Sequence, residues 1–306
     1  MWQCSAPGSV MLTGEHAILN GEAALVAAVD KRITVQLTPR TDDKIIIHSE
    51  RLGEYTTSLS TLKSTPPFEF VLNSLILLKD KINTGLELNI LSDFSHQVGL
   101  GSSAACTVAT LAVISHWQGM TVDLNTLFLQ ARSIIQTTQG RGSGADAAAS
   151  IFGGVVHYQM EPLLLEKLPY IPPVVLAYCG YKTSTAQVIE RVRAAQQHHP
   201  QAYHRWFEQI GRCTQKAKQA IRSQDWALLG AIFTEHQSYQ TAMQLSDPTL
   251  DHMIKILNAE PNIAGAKISG SGLGDCVMGV GHLSNDISWQ VLPVALSTQG
   301  LSFLFL

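Results

Sequence analysis

Three glycine- and serine-rich turns carry the residues best placed to do chemistry in this sequence. The first, Val98-Gly99-Leu100-Gly101-Ser102-Ser103-Ala104-Ala105, runs directly into a long apolar, alanine-rich segment. Glycines permit a tight turn and close backbone approach. A helix opening at Ser102 then presents unpaired N–H groups and the positive end of its dipole to an anion. The hydroxyls of Ser102 and Ser103 add oxygens suited to a phosphate or a bound metal. Serine and glycine at a helix start are also ordinary capping chemistry. The second turn, Gln139-Gly140-Arg141-Gly142-Ser143-Gly144-Ala145-Asp146, leads into small residues and has an aspartate at its exit. The third, Ser269-Gly270-Ser271-Gly272-Leu273-Gly274-Asp275, lies between two apolar runs. If the turns converge on one cleft between domains, they form a nucleotide or small-molecule site.

The elements that position them divide the chain in two. Residues 23–29, 33–37, 45–47 and 86–90 read as strands, and Phe68, Val71, Leu72, Leu75 and Leu78 fall at helical spacing within 67–81. Helices follow over 102–117 and from Asp123, a suitable N-cap, to about Thr138. Residues 155–158 read as a strand. The segment 161–173, with prolines at 162, 169, 172 and 173, reads as a loop and places a boundary near Leu165, giving domains 1–165 and 166–306. Beyond it, helices are expected over 184–197, 201–222, 225–242 and 248–258. Short strands at 174–178, 263–268, 276–280 and 301–306 would form a small sheet under them, an α+β sandwich.

Composition narrows the partners. With 306 residues, 45% of them hydrophobic, the chain can bury a full core in two medium domains. A formal net charge of −3 gives no basic excess, which argues against nucleic acid or an anionic membrane. Cys4, Cys106, Cys179, Cys213 and Cys276 are scattered, as reduced thiols of a cytoplasmic chain are. The N-terminus lacks the pattern of a signal peptide, and no stretch approaches the ~20 apolar residues of a membrane span. The oligomeric state is open, a homodimer included. No lysine follows a glycine, so there is no G-x-x-x-x-G-K-S/T loop; G-x-S-x-G, H-E-x-x-H and H-R-D are also absent.

Ser5-Ala6-Pro7-Gly8-Ser9-Val10-Met11-Leu12-Thr13-Gly14-Glu15-His16-Ala17-Ile18-Leu19-Asn20-Gly21 resembles the opening substrate motif of the GHMP small-molecule kinases, in the form typical of mevalonate kinases. Gly99 to Ala105 is similar to that family's ATP phosphate loop, and Ser269 to Cys276 resembles its third, glycine-rich motif. The similarity runs in order along essentially the whole chain. It implies an α+β, two-domain GHMP kinase fold: an N-terminal ribosomal protein S5 domain 2-like α/β domain and a C-terminal ferredoxin-like α+β sandwich. It further implies that Gly99, Leu100, Gly101, Ser102, Ser103 and Ala104 bind ATP, with Ser102 or Ser103 helping to hold Mg²⁺. Asp146 matches the family aspartate beside the acceptor hydroxyl, where a carboxylate accepts or orients a proton during in-line phosphoryl transfer. Capping of the following helix is its alternative use.

Glu15 and His16 match residues lining the acceptor pocket, as do Ser143 and Gly144 of the second turn. Thr183 and Thr185 sit where the family has a Ser/Thr-rich loop, and Lys182 or Arg141 would pair with an acidic acceptor. Ser269, Gly270, Ser271 and Gly272 carry the third motif. The departures are specific. The family usually has lysine after Ala-Pro-Gly, where it supports the transferring phosphate or the catalytic aspartate; here that position is Ser9, which inherits a place in the catalytic set. Ile134-Ile135-Gln136 stands where mevalonate kinases carry a magnesium-binding glutamate. Leu273 and Asp275 replace common glycines, and Gly274-Asp275-Cys276 looks more like phosphomevalonate kinases. The resemblance thus implies an ATP-dependent kinase for a small alcohol, with mevalonate the leading acceptor. Phosphomevalonate, whose extra phosphate would call on Arg141, Lys182 and Arg191, is the alternative, and a non-catalytic small-molecule sensor is the reading from another class.

Overall fold

The computed structural model describes residues 1–306 apart from His96, Gln97, Arg141, Asn285, Asp286 and Leu306. The chain opens with two long antiparallel strands, β1 (Trp2–Thr13) and β2 (Ala24–Pro39). The two runs expected at 23–29 and 33–37 are one strand. Their ladder slips at Pro7-Gly8: Arg32 faces Pro7, but Ala28 faces Ser9. Proline has no N–H to give a ladder, so such an irregularity is where a strand tolerates it, and the slip re-aims the residues that follow.

The first sheet continues with β3 (Lys44–Ser49), β4 (Gly53–Ser58), β5 (Leu86–Ser92), β6 (Val155–Gln159) and β7 (Leu164–Lys167). β4 is a mostly exposed edge partner of β3, with no buried residue to give it an apolar alternation. β7 lies inside the segment expected as a loop and spans the boundary expected near Leu165. The second sheet contains β8 (Val174–Tyr178), β9 (Ile263–Ser269), β10 (Cys276–Gly281) and β11 (Gln290–Val291), in the order β11-β8-β10-β9.

The last strand, β12 (Ser302–Phe305), was expected in this second sheet but pairs with β1 in the first. Its approach path explains the difference. Ser297 N–H donates to Ala28 O at 2.8 Å and Leu301 N–H to Ile151 O at 3.1 Å, which delivers the chain to the free edge of β1. The first sheet therefore reads β12-β1-β2-β5-β3-β4, with β6 and β7 alongside β2.

Helices α1 (Glu69–Leu77), α2 (Ser102–Trp117), α3 (Leu124–Gln139) and α4 (Ala145–Phe152) belong to the first half. α2 lies on β1 and β2 and is covered by α1, α3 and α4. Its residues are buried on every side from Ala104 to Ser115, Cys106 alone being partly exposed, which is why it is apolar without a polar stripe. In the second half, α5 (Thr185–His198) and α6 (Pro200–Ser223) precede α7 (Trp226–Ala242) and α8 (Pro248–Ala259), which pack on β9 and β10. The core is shared: one apolar cluster joins Leu12 and Leu25 of the first sheet to Cys213, Phe233 and Met278 of the second half.

Candidate active site

The slip at Pro7-Gly8 brings the opening motif onto the first glycine turn. Ser9 N–H donates to Leu100 O at 3.0 Å. A Cβ on Gly8 would meet that same carbonyl oxygen at 2.6 Å, so the approach requires glycine. Gly101, at φ 62°, turns the chain into α2, and a Cβ there would strike Ser9 Oγ. That hydroxyl is committed: Ser9 Oγ donates to Asp146 Oδ1 at 2.7 Å.

Asp146 lies in the first turn of α4 and makes no cap. Helices α3, α5, α7 and α8 start under the side chains of Asp123, Ser184, Asp225 and Asp247. α2 and α4 instead begin at left-handed Gly101 and Gly144, which have no side chain to cap with, though at α4 the Ala145 N–H donates to the Ser143 hydroxyl at 3.2 Å. Both open N-termini border one cavity of about 490 Å³. The N–H groups left unpaired there and the positive ends of the two helix dipoles attract anions.

Glu15 and His16 also line the cavity but are heavily engaged. Lys267 Nζ donates to Glu15 Oε1 at 2.5 Å, and His236 Nε2 lies 3.2 Å from Glu15 Oε2. Lys267 and His236 are fully buried. Burial alone would raise the Glu15 carboxyl; Lys267 and His236 outweigh it and hold it at about 2. His16, with φ 62°, lies 2.8 Å from Ser271 O through its Nε2. Burial pushes its imidazole down, so it is neutral near pH 7. Neither Lys267 nor His236 was among the expected site residues. The legible signal was a lysine within the otherwise apolar strand 263–268, since lysines are rarely fully buried unless paired.

The third turn closes the cavity beside the first. Asp275 is buried, and its carboxylate packs where a Cβ of Gly99 would be. Lys182 Nζ stands 3.4 Å from Asp275 Oδ2. Burial pushes both the Asp146 and Asp275 carboxyls above the ordinary aspartate range; Lys182 pulls each back, and Ser9 also lowers Asp146.

Most of the expected residues line this single cavity: Ser9, Glu15 and His16, the turn from Gly99 to Ala104, Ser143, Gly144, Asp146, Lys182, Thr185, and Ser269 to Ser271. Thr183 and Gly272 do not. The Thr183 hydroxyl donates to Leu273 O at 2.6 Å, and Gly272 packs on Leu245. Arg191 lines a neighbouring pocket, and Arg141 lies outside the described residues. Lys182, expected beside an acidic acceptor, stands on the side of the first glycine turn. Leu19, from the opening motif, joins Ile135 and Ile189 in an aliphatic wall.

Ile135 lines the cavity where the mevalonate kinase pattern implies a metal-binding glutamate, and Gln136 Nε2 donates to Gly142 O at 3.1 Å. Among the described residues no group of three or more His, Cys, Asp or Glu could hold a metal ion. The hydroxyls of Ser102 and Ser103 still fit Mg²⁺, a hard cation that usually shares its shell with phosphates and water.

A β-rich first half feeding a layered second half, around a cavity bordered by two helix N-termini and by the carboxylates of Glu15, Asp146 and Asp275, fits a phosphate-handling enzyme. The N-terminal domain of the GHMP kinases matches residues 69–154, and their C-terminal domain matches residues 217–286. The mevalonate kinase of Archaeoglobus fulgidus is 31% identical over 278 residues, covering 90% of this chain and 91% of its own length. The crystal structure of the Methanococcus jannaschii mevalonate kinase superposes with a TM-score of 0.78 at 22% identity, covering 92% of this chain and 90% of that one. That of the Streptococcus pneumoniae phosphomevalonate kinase with phosphomevalonate and AMPPNP gives 0.79 at 14% identity, covering 97% and 100%. The chain belongs to the GHMP kinase family. It is an ATP-dependent small-molecule kinase with the two-domain fold of that family.

Proposed function

We propose that this kinase transfers the terminal phosphate of ATP to the 5-hydroxyl of mevalonate, giving 5-phosphomevalonate for isoprenoid precursor synthesis. The observation that carries the reading is Asp146, fixed by Ser9 at 2.7 Å in the first turn of α4 and beside the Gly101 start of α2. With Oδ1 occupied by the Ser9 hydroxyl, Oδ2 takes the proton of the acceptor hydroxyl as its oxygen attacks the γ-phosphorus. The new O–P bond forms in line with the bond that breaks to release ADP. Backbone N–H groups of the turn at Gly99 to Ala104 hold the phosphates and need no reorganisation as charge shifts. Ser102 or Ser103 would hold Mg²⁺, which would supply positive charge to offset that of the phosphates.

The acceptor wall supports mevalonate. Leu19, Ile135 and Ile189 suit the methyl-bearing carbon chain, and Ser143, Thr185 and His16 offer polar partners. A sugar would set hydroxyls against those aliphatic side chains without hydrogen-bond partners. Phosphomevalonate brings a second anionic group, whereas among the described lining residues Lys182 is the only lysine or arginine. Several archaeal relatives carry the name mevalonate kinase. An ADP-release assay comparing mevalonate, phosphomevalonate, galactose and homoserine tests the assignment. The expected result is turnover dominated by mevalonate; turnover dominated by phosphomevalonate, galactose or homoserine would overturn it.

A further inference from the structure

The loop that carries Lys182 is fastened to the third glycine turn on both sides of that lysine. Asp275 N–H donates to Tyr181 O at 2.9 Å, and the Thr183 hydroxyl donates to Leu273 O at 2.6 Å. Cys179 N–H adds a bond to Asp275 O at 3.0 Å. Between these stitches a Cβ on Gly274 would lie 3.0 Å from Tyr181 O, 3.1 Å from Lys182 Cα and 3.2 Å from Thr183 N, so glycine is what lets the two segments close. Leu273 and Asp275 hold φ values of 55° and 70°, a conformation side chains rarely adopt and one that only firm anchoring maintains. The turn is therefore a mount built around the Lys182 backbone, with the Asp275 carboxylate as its stop for the ammonium.

That mount sets the charge at a particular place. The Asp275 carboxylate abuts Gly99 of the first turn, so the Lys182 ammonium, 3.4 Å from it, stands at the phosphate end of the cavity. It is also close enough to Asp146 to act on that carboxylate. A polyanion entering between two aspartates needs a compensating cation at the point where charge shifts in transfer. The position after Ala6-Pro7-Gly8 supplies none, being Ser9. We infer that Lys182 binds the terminal phosphate of ATP and stabilises its transfer, and that Asp275 is a positioning residue acting through Lys182. This rests on the kinase reading above and assigns the third glycine turn a second duty, as the bracket for that lysine.

Two measurements on the full chain test this. In steady-state kinetics, Lys182→Met should lower kcat by about 10²–10³-fold, with Lys182→Arg restoring part of it. Asp275→Asn should lower kcat by a smaller factor without raising KM for ATP, because it removes a negative charge near the phosphates while loosening the lysine. The double variant Lys182→Met/Asp275→Asn should be no slower than Lys182→Met alone. In equilibrium titration, Lys182→Met should weaken AMPPNP binding by about tenfold and leave ADP binding unchanged, because only the former has a third phosphate. Equal effects on AMPPNP and ADP, or none on either, would overturn the role of Lys182 whether or not mevalonate is the acceptor. Multiplicative losses in the double variant would overturn the role of Asp275. A wild-type enzyme inactive on mevalonate, with the AMPPNP effect intact, would instead remove only the proposed acceptor.

Discussion

The Asp146 carboxylate is held by opposing influences, and its chemistry depends on their balance. Burial raises its pKa, the Ser9 hydroxyl and the Lys182 ammonium lower it, and the Asp275 carboxylate lies near enough to be raised by it in turn. A base must be ionised to accept a proton, so activity is lost as pH falls through this pKa. Removing the Ser9 hydroxyl removes a lowering influence and frees Oδ1. Ser9→Ala should therefore move the acidic limb of the kcat/KM profile to higher pH and lower kcat by about tenfold. An unmoved limb would mean that Ser9 does not tune Asp146. At this scale the motifs made much of the site legible: Ser9, Asp146 and the turn at Gly99 to Ala104 line one cavity. Partners that follow from packing were not legible. Nothing in the one-dimensional pattern joins Glu15 to His236 and Lys267, or Lys182 to Asp275, because these pairs form only when distant strands and loops meet.

Among the elements, the decisive one is β1, and its sequence hides it. A strand containing Pro7-Gly8 contradicts ordinary strand propensity, yet the same dipeptide makes the ladder slip that faces Ser9 to Asp146 and lets Leu100 approach. The α2 start at Ser102 was legible from glycine before a run of small residues; α4 starts at Ala145, so Asp146 lies inside that helix instead of capping it. The failure at β12 has a different cause. A short apolar segment near the end of the chain suits either sheet, and the hydrogen bonds from Ser297 and Leu301 to Ala28 and Ile151 decide between them. Gly101 offers a test at this scale. Its left-handed φ disfavours any side chain, and a Cβ would displace the Ser9 hydroxyl. Gly101→Ala should raise KM for ATP and lower kcat together, by about tenfold or more each. A rise in KM alone would show that the turn serves binding without holding Ser9 against Asp146.

For the whole molecule, the cavity exists only because its two halves stay in register, and Glu15 is one of the clasps that hold them. It reaches from the opening motif to Lys267 on β9 and His236 on α7, all within the interior. Glu15→Gln leaves the buried ammonium of Lys267 without its counter-charge, a change that destabilises by about 3–5 kcal/mol. Its melting temperature near pH 7 should fall clearly, with Glu15→Gln/Lys267→Met recovering part of the loss. The carboxyl is held at about 2, below its ordinary 4.5, so its stabilisation is present above pH 4.5 and fades as pH falls towards 2. An unchanged melting temperature would show that the clasp contributes nothing. The kinase account itself meets its most direct test in Asp146→Asn, which keeps the shape of the side chain but removes its ability to take a proton. Measured with mevalonate, ATP and Mg²⁺, this variant should lose phosphoryl transfer almost completely while binding AMPPNP as tightly as the wild type. Transfer at the wild-type rate would contradict the account.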